Sequence, residues 1–581
     1  MIKDKIKNVM KQKKKLILLV VGACFILSGC SHISKEQTEN TIPVQDTVLQ
    51  DTPPKKQKTV FPQEPIRILI ERKISHDLAL APTLQEDTIC QSVTTLENFY
   101  SRQSWCPVWF KDGKPLSSIT KFLEIITKAD EEGLSPSDYH YDKITTLLCP
   151  SENPSPSLAD EVIADLDILL TDAYQSYTSH LFWGKSGRGK DFARTSAKDD
   201  EPQPLFLENI PEGPQLKETI TSFLPTHPEY AQLKQILMRY RQIEAEGGWP
   251  VIAEKSLAKG NKGAQVAALK KRLHLTGELE QIVPEEEDHF DADLEKAVLL
   301  FQKTQNLKES GIANTETLKL MNVPVTKRIQ QIRMDMERWR WMPRNLSRYI
   351  LVDIPDFSMR VVENGETALQ MKTVVGKAKN PTPIFSGSMS IIELNPNWNV
   401  PVSIIRNEIV PATKKDPSYI SRHRIKIYQN WNSKSQEVSP DSLDWDTISA
   451  HKFPYRLVQD PGAHNSLGRI KFLFPNIHDV YMHDTPSRYL FKRKERAFSH
   501  GCIRLEHPVD LAEYLLKDNL SWDRQQIQKK INTGRRASIA LSNPIPVYIS
   551  YFTVGIDGSG YPSFRKDLYD QDRILEKEMN R

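Results

Sequence analysis

Two stretches decide how the C-terminal half of this chain reads: Tyr481-Met482-His483-Asp484-Thr485-Pro486 and, after a short loop, Phe498-Ser499-His500-Gly501-Cys502-Ile503-Arg504-Leu505. In the first, Val480 and Met482 alternate with Tyr481 and His483. A strand there sends the apolar pair into a core and presents the Tyr and the His together on the other face. In the second, Gly501 lets the backbone turn sharply or approach a ligand closely. Ile503 and Leu505 anchor the segment and hold Cys502 at an edge. A cysteine near histidines is the minimum kit for a thiol nucleophile with its own base.

Outward from these stretches the pattern stays β-rich. From about residue 345 the hydrophobic period is two, with runs at 349–354, 359–362, 369–375, 390–394, 470–474 and 537–551 separated by Gly, Pro and Asn. One helix is expected at about 508–517, where Pro508 suits a first turn and Asp510 complements the dipole. Residues 411–450, with Trp431, Asp444 and Trp445, break the rhythm as an insert. The β-rich domain is placed at 345–555 and a C-terminal tail at 556–581.

Upstream, residues 256–323 carry helical repeats (Val266, Leu269, Leu273; then Leu294, Ala297, Val298, Phe301 behind the cap candidate Asp291), which predict a small three-helix unit. Ile329, Ile332, Met336 and Trp339 predict a helix linking it to the β-rich domain. Residues 91–250 read as a helical domain, with helices marked by Ile119, Phe122, Leu123 and Ile126 after the cap candidates Ser117 and Ser118, and by Val162 to Tyr177. Residues 30–90, polar and Pro-containing, read as a flexible tether.

The chain begins with seven lysines in its first fifteen residues, an apolar run Leu16–Leu27 and then small residues, an export signal over 1–29. The formal net charge of +4 is misleading, since residues 1–29 hold seven Lys and one Asp and contribute +6, leaving −2 for the rest. A nucleic-acid partner gains no electrostatic support from that balance. Six cysteines in 581 residues are too few for a disulfide scaffold. Cys24 leaves with the signal and Cys502 belongs to the candidate site, so at most one bridge joins a pair among Cys90, Cys106 and Cys149.

His483, then fifteen residues, then Ser499-His500-Gly501-Cys502 with a hydrophobic residue after it resembles the active-site signature of the L,D-transpeptidases (YkuD-type), cysteine enzymes that cross-link peptidoglycan. The resemblance extends through Asn395 to Pro401, Gly468 to Phe472 and Arg504 to Leu516, and it is to the large multidomain branch. One departure is Arg504, where many members carry Asn and the large branch Arg. The resemblance implies an α+β multidomain protein: a β-sandwich-like catalytic domain, with 411–450 as a lid, behind a helical scaffold domain and a peptidoglycan-binding-like module. The last rests on Gly263, Phe290-Asp291, Phe301-Gln302, Gly311 and Thr317-Leu318; such bundles also serve as spacers. Leu27-Ser28-Gly29-Cys30 resembles a lipobox, which implies acylation of Cys30, and Ser31 an outer-membrane destination in the periplasm; membrane contact is then through the lipid anchor alone.

The roles implied at the site follow from the same resemblance. Cys502 is the nucleophile and His483 its base. His500 and Ser499 shape the site, and Trp398 and Asn399 line a substrate channel, with packing as the alternative for Trp398. From geometry, the backbone N–H groups of Gly501 and Cys502 are oxyanion-hole candidates and Tyr481 a further donor. Arg504 either holds a substrate carboxylate or pairs with Glu506. A zinc site of His483, His500, Cys502 and His507 matches no common ligand spacing, so no metal and no cofactor is expected. The implied activity is 3→3 cross-linking through a cysteine thioester, with tetrapeptide stems as donor and acceptor and carbapenems as inhibitors. The alternatives are a wall-binding protein or a thiol carboxypeptidase or endopeptidase on stem peptides.

Overall fold

The structure, a computed structural model, describes residues 64–77, 93–149, 158–194, 207, 210, 215–253, 255–432 and 434–580. The chain divides into the units Met1–Val60 and Phe61–Arg581, and every described residue belongs to the second. The expected signal at 1–29, Cys30 and Cys90 lie outside the described residues. Among the described residues no helix is long and apolar enough to cross a membrane.

One part of the expected tether is folded. Glu64–Arg72 is a helix running on into the turn Lys73–Asp77, and Ile66, Ile70 and Ile74 are buried in the core of the helical domain. Three isoleucines four residues apart make an apolar stripe, which outweighs the polar composition around it. They dock against the domain's longest helix, Asp160–Trp183, which is buried along most of its length. Beneath it Asp167 accepts hydrogen bonds from the Trp109 N–H (2.8 Å) and the Tyr100 hydroxyl (2.6 Å). The helix Ser117–Ile126 buries Ile119, Phe122 and Ile126, yet neither serine caps it; Leu116 occupies that place without a side-chain bond. Cys106 and Cys149 are exposed free thiols, so they do not bridge one another.

The three-helix unit comprises Ala264–Thr276, Ala292–Thr304 and Thr315–Met321 around a core of Leu269, Leu273, Leu294, Val298 and Leu318. Asp291 caps the second helix by accepting from the Leu294 N–H (2.8 Å), and Asn314 caps the third.

The linking helix, Val325–Trp341, is buried almost all round. Two of its buried arginines meet carboxylates: Arg338 pairs with Asp335 (2.7 Å) and Asp572 (2.6 Å), and Arg340 with Glu337 (3.2 Å) and the Tyr230 hydroxyl (2.9 Å). A third, Arg328, is held by Gln331 (2.8 Å), the Leu320 carbonyl (3.2 Å) and the Phe564 ring. Trp339 stacks on Phe552 with ring centroids 4.5 Å apart. The expected tail is therefore corrected: Gln571–Met579 is a helix with Leu575 and Met579 buried in the same core as Trp339, and Tyr551 bonds Asp567 at its approach (2.6 Å). Two buried positions on a short, charged helix leave little periodic signal.

The β-rich domain is one nine-stranded sheet. Its strands are β1 Arg348–Asp353, β2 Ser358–Glu363, β3 Glu366–Gly376, β4 Phe385–Leu394, β5 Ile470–Leu473, β6 Met482–His483, β7 Ala497–Ser499, β8 Ile503–Leu505 and β9 Ala537–Ser550. They lie in the order β7-β3-β8-β6-β5-β4-β9-β1-β2, and β2 also pairs with β3. That last pairing curls the sheet until its two halves face each other across one core of Ile, Val, Leu, Met and Phe. Between β4 and β5 the insert starts earlier than 411 and is larger. It holds a four-stranded sheet of its own, from Trp398–Asn399 to Arg456–Gln459, and its own core of Val400, Ile405, Ile409, Ile427 and Leu457. The helical stretch 402–415 belongs to it because Ile405, Ile409 and Val410 pack on that core.

Candidate active site

Strand pairing sets the site. Antiparallel β5–β6 places Lys471 opposite His483, and parallel β6–β8 places His483 opposite Arg504. Residues paired across strands share a face, so Lys471, His483 and Arg504 stand abreast on three neighbouring strands. The intervening Phe472, Met482 and Ile503 are fully buried on the opposite face. One step back along β6 and β8, the Ile503 N–H donates to the Tyr481 carbonyl (3.1 Å). Tyr481 is thereby beside Cys502, and Cys502 is a diagonal neighbour of His483, a separation that an imidazole spans.

Lys471, Tyr481, His483, Cys502 and Arg504 line one cleft of about 790 Å³, whose other wall is the insert. Trp398 and Asn399 line it from the insert's first strand; Trp398 also packs partly against the insert's core. His500, Ser499 and Tyr481 line it from the sheet side. His507 does not; it is beside Glu506 (3.7 Å), outside the cleft. The four expected zinc candidates are therefore not gathered in one place.

His483 is buried, and its Nδ1–H donates to the Asp484 carbonyl (2.5 Å), so the proton-accepting nitrogen is Nε2. Burial, with the Arg504 charge next and Lys471 adding to it, pushes the imidazole down to about 3 against two backbone carbonyls that favour its charge. It is neutral at pH 7. Burial pushes the Cys502 thiol up, opposed by the Tyr481 N–H and hydroxyl and by the Lys471 and Arg504 charges. The resting pair is thus thiol and imidazole rather than thiolate and imidazolium. Among the described residues no hydrogen bond joins them, an ordinary state for such a pair without substrate. Burial and the neighbouring Cys502 keep the Tyr481 phenol well above its usual value, so it remains a donor.

The turn around Cys502 is tied from several sides. Gly501 has φ +114°, a conformation open to glycine and strained for other residues. The Ser499 hydroxyl donates to the Cys502 carbonyl (2.5 Å) and accepts from the Gly501 N–H (3.1 Å), while Thr382 donates to the Gly501 carbonyl (2.8 Å). This corrects the expected oxyanion hole: the Gly501 N–H is already engaged by Ser499, leaving the Cys502 N–H and the Tyr481 hydroxyl.

Arg504 is not paired with Glu506. Glu506 accepts from the Lys372 N–H (3.3 Å) and faces His507, and Arg504 Nε is buried with no hydrogen-bond partner. His500 Nε2 instead bonds Glu408, a residue of the insert, and Lys377 Nζ is 3.5 Å from the same carboxylate. Burial works to raise Glu408, but the His500 contact and the Lys377 ammonium outweigh it and hold the carboxyl below its usual range.

Sequence reading missed Lys471, Thr382, Lys377 and Glu408. Lys471 had a signal, as a lone cation between Ile470 and Phe472 in a period-two run. The other three have none, because each acts through contacts remote in sequence.

Comparison with known proteins follows the same division. Residues 347–539 match the family described as L,D-transpeptidase catalytic domain, 94–237 one described as a scaffold domain, and 262–321 one described as "Putative peptidoglycan binding domain". A curated protein of Haemophilus influenzae named "Putative L,D-transpeptidase" is 33% identical over 258 residues, covering 44% of this chain and 51% of that protein. The chain thus spans about half the length of the curated relative it matches. Among solved structures, an L,D-transpeptidase from Mycobacterium smegmatis is 14% identical over 35% of this chain and 58% of its own, with a TM-score of 0.17. L,D-transpeptidase 3 from Mycobacterium tuberculosis, in complex with a faropenem-derived adduct, is 11% identical over 35% of this chain and 60% of its own, also at 0.17. Scores that low carry no argument.

Proposed function

We propose, from the premise that this chain carries an L,D-transpeptidase catalytic domain behind the matching scaffold and peptidoglycan-binding modules, that it forms 3→3 cross-links between peptidoglycan stems through a thioester on Cys502. The observation that carries the reading is the placement of Cys502 and a neutral His483 on one face of one cleft, with His483 Nδ1 fixed on a backbone carbonyl. As the sulfur attacks the carbonyl of the third stem residue, its proton passes to His483 Nε2. The tetrahedral oxyanion is met by the Cys502 N–H and the Tyr481 hydroxyl. Collapse breaks the C–N bond, His483 returns the proton to the leaving amine, and the terminal D-residue departs. An amine from the third residue of a second stem then attacks the thioester, its proton again taken by His483; the C–S bond breaks as the new amide forms and His483 returns the proton to the departing Cys502 sulfur, while water in place of the amine gives carboxypeptidase action.

Trp398 and Asn399 are the channel wall, the insert is the lid, Ser499 holds the turn, and Arg504 holds a donor carboxylate. The carbapenem class acylates the same sulfur in this reading. Domains that act on peptidoglycan imply a periplasmic or cell-wall location; an anchor on Cys30 is the proposed means of holding the protein there. Two measurements test the function. Mass spectrometry of protein incubated with a disaccharide-tetrapeptide should find an acyl adduct on Cys502, and a muropeptide digest from cells bearing Cys502→Ala should lack 3→3 dimers. Retention of those dimers in a strain with no other source overturns the reading.

A further inference from the structure

The row across the sheet holds more charge than the chemistry above uses. Reading from β4 to β8 it runs Glu393, Lys471, His483, Arg504. Glu393 at its end is taken by Arg536. Among the described residues no carboxylate forms an ion pair with Lys471 or Arg504; Lys471 Nζ is over the Tyr481 ring (4.0 Å from its centroid) and Arg504 Nε is buried without a partner. Two cations with no carboxylate bonded to them therefore flank a buried neutral imidazole on the floor of a cleft, and Glu393, held by Arg536, acts on Lys471 only from a distance.

We propose that Lys471 and Arg504 form a split carboxylate seat on either side of His483, and that the donor peptide's own carboxylate, on entering it, makes His483 an effective base for Cys502. The inference rests on the acyl-transfer reading of the cleft and adds a substrate requirement to it: the donor must be anionic near the scissile bond. The physical reason is Coulombic. Each cation opposes a positive charge on His483, most strongly where water is excluded, and an anion seated between them removes that opposition. The other groups facing the imidazole leave this balance intact. Tyr481 stays protonated, Asp484 is turned to the Arg469 N–H (2.8 Å), and Glu408 across the cleft is engaged by His500 and Lys377. With the seat filled, the Cys502 proton moves to His483 Nε2 as the S–C bond forms, and from His483 to the amine as the C–N bond breaks. An empty seat leaves a protonated thiol, which slows attack by the sulfur between turnovers.

The test reads His483 directly, by histidine NMR titration of full-length Cys502→Ala protein with the resonance assigned through His483→Gln. Lys471→Met and Arg504→Met should each raise the His483 pKa by about one unit, and Lys471→Arg should leave it low. Saturating N-acetyl-D-alanine should raise it in the parent and not in the double Met variant, and N-acetyl-D-alaninamide should not raise it. No shift with either variant or with the carboxylate overturns the seat. In turnover, a tetrapeptide donor amidated at its C-terminus should lose at least tenfold in kcat with a smaller change in KM; an unchanged kcat also overturns it. The titration needs no turnover: a shift without acyl transfer leaves the seat standing and sinks the function above, and acyl transfer without a shift does the reverse.

Discussion

The C-terminal end of the linking helix and the cleft floor both withdraw cations from water, and they treat them in opposite ways. Arg338 and Arg340 are almost fully buried, and each has a carboxylate within 3.2 Å, with Asp572 and Tyr230 arriving from elements far away in sequence. Lys471 and Arg504 are half-buried in the cleft floor and form no ion pair with a carboxylate among the described residues. A buried charge that is matched internally ties elements together; one without a carboxylate is either satisfied by amides, carbonyls and rings, as Arg328 is by Gln331, Leu320 and Phe564, or faces a cleft that a ligand can enter, as Lys471 and Arg504 do. The first region holds the helical domain, the linking helix and the C-terminal helix in one body, and the second is where chemistry is placed.

The sharpest way to break that contrast is to remove one cation from each region. Arg340→Met leaves buried Glu337 without its cation, though the Lys185 and Ser186 N–H groups still donate to it, and should destabilise the protein by about 3 kcal/mol, seen as a lowered Tm and denaturation midpoint. Arg504→Met strands nothing, so its Tm should be unchanged or higher while acyl transfer falls. Equal losses of stability would erase the distinction.

A second test uses acid. His483 is pushed down to about 3, and His180 and His227 to about 4, all chiefly by burial. A base whose folded value is depressed binds a proton more readily once unfolded, so its contribution to stability is whole above pH 6.5 and is lost as pH falls toward the folded value. For His483 the loss by pH 4 is on the order of 3 kcal/mol. His483→Gln should therefore show a shallower decline in urea midpoint between pH 6.5 and 4 than the parent. An identical slope would mean that the imidazole is not buried neutral.

The turn gives a smaller effect. Gly501 has room for a methyl group, the Pro381 carbonyl being 3.6 Å from an added Cβ, so only its φ of +114° opposes a side chain. Gly501→Ala should cost on the order of 1–3 kcal/mol of local strain, released by shifting the turn, so acyl transfer should fall further than Tm. A variant with full activity would show that the turn does not need this conformation.

How much of this was legible in the sequence follows from what each feature depends on. The strand around His483, the buried Met482 and Ile503, and the cap at Asp291 depend on neighbours within a few residues, and the alternation and the Asp-to-Leu294 spacing carried them. The His483–Arg504 and Lys471–His483 pairings are set by register between strands that sequence does not align, so Lys471 was noticed only as part of a motif. The Gly501 N–H looked free because nothing local says that the Ser499 hydroxyl turns toward it. The helix at 571–579 read as tail because its anchors, Trp339 and Arg338, come more than two hundred residues earlier.

The smallest predicted effect joins the two regions' logic at the lid. Glu408 is partly exposed, as is His500, so their pairing with Lys377 is screened and contributes little to stability. It is nonetheless the described ion pairing between the insert and the nucleophile's own turn, and the Lys377 N–H also donates to the Ser499 carbonyl (3.0 Å). Glu408→Gln keeps the shape and removes the charge that receives His500 and Lys377. Its Tm should stay within about 1 °C of the parent, while alkylation of Cys502 by a bulky maleimide should quicken several-fold as the insert spends more time lifted, and hydrogen exchange should rise over 402–428. If exchange and alkylation are both unchanged, the contact decorates the cleft without controlling access to it, and the matched-charge rule drawn from the linking helix does not extend to the lid.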